Sequence, residues 1–253
     1  MGAPRARLAH GLGILLIQLG ELDEAVRLFE RSLAIWRELG DRDQQARELN
    51  TLGITRYHSG ELDAARSVLQ ESITIARQIG SDPRLATALT NLGQVEATTG
   101  NYGQATRLLH EALALDHKHG DLQGQAVNQQ SLAEINLHTG QIKEAQALLR
   151  DMLGYATGSG DTEFLAYTLE LAACIAAGLG DCPQAARLAG AADGLRQKLG
   201  IPRPAKDEAL LGGFLVPAQA ATPASVWDAE LAAGRALTQP QAAALLRSAA
   251  QGG

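Results

Sequence analysis

Aromatic side chains are scarce in this sequence, with three Phe, four Tyr and two Trp among 253 residues. Any core must therefore be built from Ala, Leu and other aliphatics, a composition that favours helix over sheet. Cysteine is scarcer still. Cys174 and Cys182 are too few for a disulfide framework and lack metal-site spacing, so both are read as buried spectators. Lysine occurs only at Lys118, Lys143, Lys198 and Lys206. The arginines are scattered, and a formal net charge of -6 argues against a nucleic-acid surface, which needs clustered cations. No apolar run reaches the ~20 residues of a membrane span. The longest, "GLGILLIQLG" at 11–20, is broken by glycine and preceded by Arg5 and Arg7, as a signal-peptide core would be. Its columns recur as "NTLGITRYHSG" and "NLGQVEATTG", however, which makes it the first helix of a repeat. The expectation is a cytoplasmic protein without membrane contact.

Signatures of catalysis are also missing. There is no G-x-x-x-x-G-K-[ST] phosphate loop, no G-x-S-x-G, and no basic helix-turn-helix at the C-terminal end. The "HKH" at His117 to His119, with His110 upstream, reads as a solvated helix C-terminus favoured by the dipole, not as a metal site. Glu21 with Asp23, and Glu61 with Asp63, sit where a second helix begins, and the same dipole accounts for them. No enzyme activity, cofactor or metal is expected.

Glycine, in contrast, is abundant and ordered. Gly20, Gly60, Gly100, Gly140 and Gly180 lie on one ruler of forty residues; Gly40, Gly80, Gly120, Gly160 and Gly200 lie on the complementary phase. A fixed period of this size marks a repeat architecture, in which each unit buries its apolar face only against its neighbours. Five units follow, at about 1–40, 41–80, 81–120, 121–160 and 161–200. Within each, a small residue sits mid-way along the first helix: Gly13, Gly53, Gly93, Ala133, Ala173. An alanine stands twelve residues later, at Ala25, Ala65, Ala105, Ala145 and Ala185. A small residue on each helix lets the two backbones approach, and the ruler glycines end helices in the left-handed conformation. At the joints, Asp41, Asp82, Asp121 and Asp161 are suited to N-capping, with Pro83 at a first helical position. Each unit is thus a pair of antiparallel helices of about four turns, joined by short turns.

These columns resemble the tetratricopeptide repeat: Leu-Gly in the first helix, Gly at the turn, an apolar residue two later, then Ala and a large apolar residue in the second helix. The forty-residue period is that of the longer variant found in kinesin light chains and in the sensor regions of bacterial signal-transduction ATPase regulators. Residues 186–204, "ARLAGAADGLRQKLGIPRP", and 225–246, "SVWDAELAAGRALTQPQAAALL", are similar to the C-terminal end of LuxR-type regulators of that group. The resemblance implies an all-α, right-handed superhelical solenoid, with residues 201–253 as a helical C-terminal cap.

It also implies where a ligand would bind. In this family the first helices line the concave face, which here would carry Arg47, Asn50, Tyr57 and His58, then Thr87, Asn91 and Gln94, then Gln130, Glu134 and His138. Asn91 matches the asparagine that holds a peptide backbone in kinesin-light-chain-like repeats; Asn50 lies one residue earlier in its unit. Such a wall is amide-rich and lightly charged, and lacks the cation cluster that clamps a C-terminal carboxylate. It suits an extended protein or peptide segment, or equally a sugar or other small polar metabolite. The resemblance suggests a regulatory, adaptor or sensor arm.

Overall fold

The computed structural model describes residues 2–251, and among them every regular element is an α-helix. Ten helices follow the ruler as five pairs: α1 (Gly2–Gln18) with α2 (Leu22–Glu38), α3 (Arg42–His58) with α4 (Leu62–Ile79), and α5 (Asp82–Thr98) with α6 (Tyr102–His119). Then come α7 (Leu122–His138) with α8 (Ile142–Gly158), and α9 (Thr162–Gly178) with α10 (Cys182–Leu199). Three more come after the last ruler glycine: α11 (Ala205–Ala220), α12 (Ala224–Arg235) and α13 (Gln239–Gln251). No described helix is long and apolar enough to cross a membrane.

The spacing of glycine explains where helices stop. Gly100 and Gly120 have φ of 78° and 68°, a conformation that strains any side chain with a Cβ. The small residues inside the first helices have a different reason. A Cβ on Gly53 would lie 2.5 Å from Leu69 Cγ, and one on Gly13 would lie 2.6 Å from the Phe29 ring. Ala25, Ala65 and Ala105 are fully buried on the facing helices.

Capping follows the expected pattern with one correction. Asp41, Asp121 and Asp161 accept hydrogen bonds from the backbone N–H of Gln44, Gly124 and Phe164 at 3.1, 2.9 and 2.9 Å. Asp82 does not cap: Ser81 is the N-cap residue, and Asp82 is already helical. The Asp82 carboxylate turns instead to Lys118 Nζ at 2.6 Å and His119 Nε2 at 3.0 Å. Those contacts hold its carboxyl below the usual range, through Lys118 first and His119 second.

The chain divides into two compact units, residues 1–124 and 125–253. The first holds three helix pairs. The first two pairs are each closed by a recurring bond between their own helices: Ser32 Oγ donates to Ala6 O at 3.0 Å, and forty residues on Ser72 Oγ donates to Ala46 O at 2.8 Å. The second unit joins the fourth and fifth pairs to α11, α12 and α13, so this division differs from a boundary at residue 200. The reason is its core, where Leu165, Leu169 and Leu188 share a cluster with Leu211, Ala242 and Leu246. Within this unit α12 crosses α10 almost backbone to backbone. A Cβ on Gly190 or Gly234 would lie 2.1 Å from the carbonyl oxygen of Leu231 or Arg187, so only glycine permits this approach. The "AGAADG" stretch that carries the resemblance to regulator C-termini is this crossing.

Candidate functional site

In the first unit, the face of α3 and α5 opposite their second helices is zipped by three polar rungs. Arg84 Nε and Nη2 donate to the Asp43 carboxylate at 3.0 Å each. Asn91 Nδ2 donates to Asn50 Oδ1 at 2.8 Å, and the Tyr57 and Thr98 hydroxyls lie 3.0 Å apart. Each rung joins residues 41 apart, and successive rungs stand seven apart on each helix, two turns, which returns them to one face. Asn50 and Asn91, offset by one in the sequence columns, are therefore partners. Each amide has further donor and acceptor capacity beyond this one bond, and both residues are only half-buried.

Around the amide pair stand the other expected residues. Gln94 is half-buried and Thr87 exposed, with the Thr87 hydroxyl turned back to Pro83 O at 3.0 Å. His58 packs edge-on against Tyr57, ring centroids 5.3 Å apart. Arg47 looks the other way: its Nη2 donates to His10 Nε2 at 3.0 Å, which places the ring proton on Nδ1, 2.9 Å from the buried Glu48 carboxylate. The charged rung has a sign for stability. Asp43 is held below the usual carboxyl range by its bond to Arg84. The stabilisation is present above the unfolded pKa and fades as pH falls through the lower folded value.

The second unit treats the equivalent face differently. Gln130 and Glu134 lie on α7, where Gln130 Nε2 donates to Glu134 Oε1 at 3.2 Å. The segment leading into α11, and α11 itself, lie against this face. Lys206 Nζ stands 3.9 Å from Glu134 Oε2, and Glu134, Tyr167, Glu170, Cys174, Asp207 and Leu211 enclose a cavity of about 20 Å³, room for roughly one water. Burial pushes the Glu134 carboxyl up, opposed by Lys206 and aided by Asp207. His138, at the end of α7, has its imidazole lowered by burial and then by Lys206. Burial, then Asp207, pushes the Tyr167 phenol up to about 12, and burial does the same for the Cys174 thiol.

At the centre of this face is a buried charge network. Arg196 grips Glu170 with two bonds, Nε to Oε1 at 2.6 Å and Nη2 to Oε2 at 2.9 Å. Arg203, between Pro202 and Pro204, adds Nε to Glu170 Oε1 at 2.8 Å and Nη2 to Asp193 Oδ1 at 2.8 Å. The Arg196 guanidinium also lies 4.4 Å from the centre of the Tyr167 ring. Burial opposes the Arg203 charge, but Asp193, Glu208 and Glu170 outweigh it and its pKa rises. Sequence columns place Tyr167 and Glu170 on the first-helix face but give no sign of these partners. The one available signal was an arginine held between two prolines.

Comparison with known proteins bears on the repeats and the fold. Residues 4–78 and 47–118 match the family model described as tetratricopeptide repeat, and residues 96–178 match one described as anaphase-promoting complex subunit 5. No curated protein matches the sequence. Among solved structures, a kinesin light chain with nearly identical tetratricopeptide-like repeats from Podospora anserina superposes with a TM-score of 0.63 at 20% identity, over 79% of this chain and 98% of that one. The Rap conjugation gene regulator of plasmid pLS20, in complex with the Phr* peptide, gives 0.61 at 17% identity, over 87% and 63%. A signal-transduction ATPase with a tetratricopeptide repeat sensor from Pyrococcus horikoshii gives 0.63 at 16%, over 91% of this chain but 36% of that one. Residues 4–118 are thus tetratricopeptide repeats of the long type, and the chain has the all-α fold of tetratricopeptide-like solenoid proteins.

Proposed function

We propose that the first unit binds an extended peptide segment of another protein along α3 and α5. The observation that carries this reading is the Asn50–Asn91 pair: two amides fixed to each other, half-buried, with hydrogen-bonding capacity left facing outward. Fixed amides suit the alternating N–H and C=O groups of an extended chain, whose ordering cost is offset only if the receptor is already rigid. Tyr57 and His58 on one side and Gln94 and Thr87 on the other would contact side chains. The pLS20 regulator, a similar fold in complex with a peptide, supports a peptide partner. In the second unit, of the expected residues Glu134 lines a cavity with room for about one water, too small for a sugar, so a metabolite draws no comparable support there.

The role we infer is non-catalytic: a regulatory or adaptor arm, in keeping with the repeat sensor of the Pyrococcus horikoshii ATPase. The test is selection of binders from a displayed library of random peptides about twelve residues long, followed by titration against the protein and its Asn91→Ala/Gln94→Ala variant. Two lost hydrogen bonds of about 0.5–1.5 kcal/mol each predict affinity weaker by about fivefold or more with helicity unchanged. Equal affinity in the variant would remove this wall as the site.

A further inference from the structure

The sequence of α11 makes a weak helix. Only Leu211 and Ala218 of its sixteen residues are buried, against twelve of seventeen in α9. Gly212 and Gly213 stand mid-way along it, and Pro217 lies inside it. Glycine destabilises a helix relative to alanine, and no close packing offsets this, since a Cβ on either glycine would meet nothing within 4 Å. Pro217 has no N–H to offer the Gly213 carbonyl. The helix therefore owes its shape to what it lies on. Its seat is also imperfect: Asp207 Oδ2 is buried without a hydrogen-bond partner, and Lys206, its side chain 53% exposed, comes no nearer than 3.9 Å to Glu134. A buried acceptor left unpaired weakens the contact.

The face beneath does not depend on α11 for its shape. Arg203 binds Glu170 and Asp193, but each carboxylate has a second cation from elsewhere. Arg196 of α10 grips Glu170 with two bonds, and Arg235 of α12 donates Nη2 to Asp193 Oδ2 at 2.9 Å. With α11 lifted away, both carboxylates would stay in place. The charge left behind says what fits there. Glu134, Glu170 and Asp193 outnumber Arg196 and Arg235, beside the apolar Leu171 and Cys174. The complement is a segment with cations at its start and an apolar side after them, the pattern of Arg203 and Lys206 followed by Leu210, Leu211 and Phe214. We propose that the face of α9 and the adjoining part of α7 is a second docking surface, one for a basic-led amphipathic helix of another protein, and that α11 is a strap holding this surface shut until such a helix displaces it.

Two measurements on the full chain test this. In hydrogen exchange, amides of residues 205–220 should open at least about tenfold more often than those of α9 and α10. Gly212→Ala/Gly213→Ala, which strengthens the strap without touching the face, should slow that opening by about tenfold. The second measurement titrates a labelled synthetic peptide of residues 201–220, itself carrying alanine at 212 and 213. It should bind an Arg203→Ala/Lys206→Ala chain, whose strap is weakened, at least about tenfold more tightly than the Gly212→Ala/Gly213→Ala chain. The same peptide with Arg203→Glu should bind at least about tenfold more weakly to either. If α11 exchanges together with α9 and α10, it is a fixed cap and the proposal fails. Peptide binding to neither variant, or equally to both, removes the docking surface, and indifference to Arg203→Glu removes the basic-led partner. Sedimentation showing the Arg203→Ala/Lys206→Ala chain as a pair would give the surface to α11 of a second copy and overturn a foreign occupant.

Discussion

Asn50 and Glu170 occupy the same column of the repeat, one in each compact unit, and the two show what that column becomes under different neighbours. Asn50 is half-buried, neutral, and tied to another amide with valence to spare. Glu170 is 5% exposed, charged, and saturated by two arginines, one of them delivered by the segment after the fifth pair. A first-helix face is thus not a binding surface by position alone. It stays one where nothing folds over it, and turns into core where the chain supplies its own covering.

The largest effect that would sharpen this contrast is on the covered face. Glu170→Ala leaves Arg196 and Arg203 without their shared carboxylate, and breaking a buried ion pair from one side costs about 3–5 kcal/mol. Urea unfolding should show that loss in residues 125–253, while Asn50→Ala should be nearly silent; comparable losses would erase the distinction. Next comes packing. Gly53→Ala pushes a Cβ to within 2.5 Å of Leu69 Cγ, so overpacking of about 1–3 kcal/mol is expected in thermal unfolding. A neutral result would mean that α4 can retreat from α3, and the wall would not be rigid enough to hold its rungs. The smallest effect concerns pH. Burial raises the Glu134 carboxyl in the folded state, so the folded chain binds more protons than the unfolded one above the ordinary carboxyl range, and stability falls as pH rises through the raised value. Glu134→Gln should therefore raise the melting temperature at pH 8 relative to wild type and remove that difference near pH 4. An equal shift at both values would assign the effect to shape instead of charge.

Much of the first unit was legible from spacing alone. The ten ruler glycines all carry positive φ, and Gly13, Gly53 and Gly93 in the first three first helices do face a large side chain sixteen residues later, as Gly13 faces Phe29. These features repeat because they solve a local problem of backbone and packing, so they leave a period. The rungs between α3 and α5 hid because they run at 41 residues instead of 40, a shift set by the crossing of neighbouring helices. Asp82 mimics the other joint aspartates in sequence, yet it lies inside α5 and the basic end of α6 claims its carboxylate. The covered face was the least legible. Arg203, Lys206 and Asp207 lie outside the repeats and meet Glu170, Glu134 and Tyr167 only through tertiary folding, for which no periodic pattern exists.

The glycine crossing of α10 and α12 has a consequence for what lies between them. Both ends of the stretch from Gly200 to Pro223 are anchored, one in α10 and the other in a backbone-to-backbone contact that neither salt nor protonation weakens. Were α11 to lift off α7 and α9, it could travel no farther than its short leash, and its local concentration would remain in the millimolar range characteristic of brief tethers. Any molecule reaching for Glu134 and Tyr167 therefore competes with an occupant that never diffuses away, and has to outlast it through slow departure more than through frequent arrival.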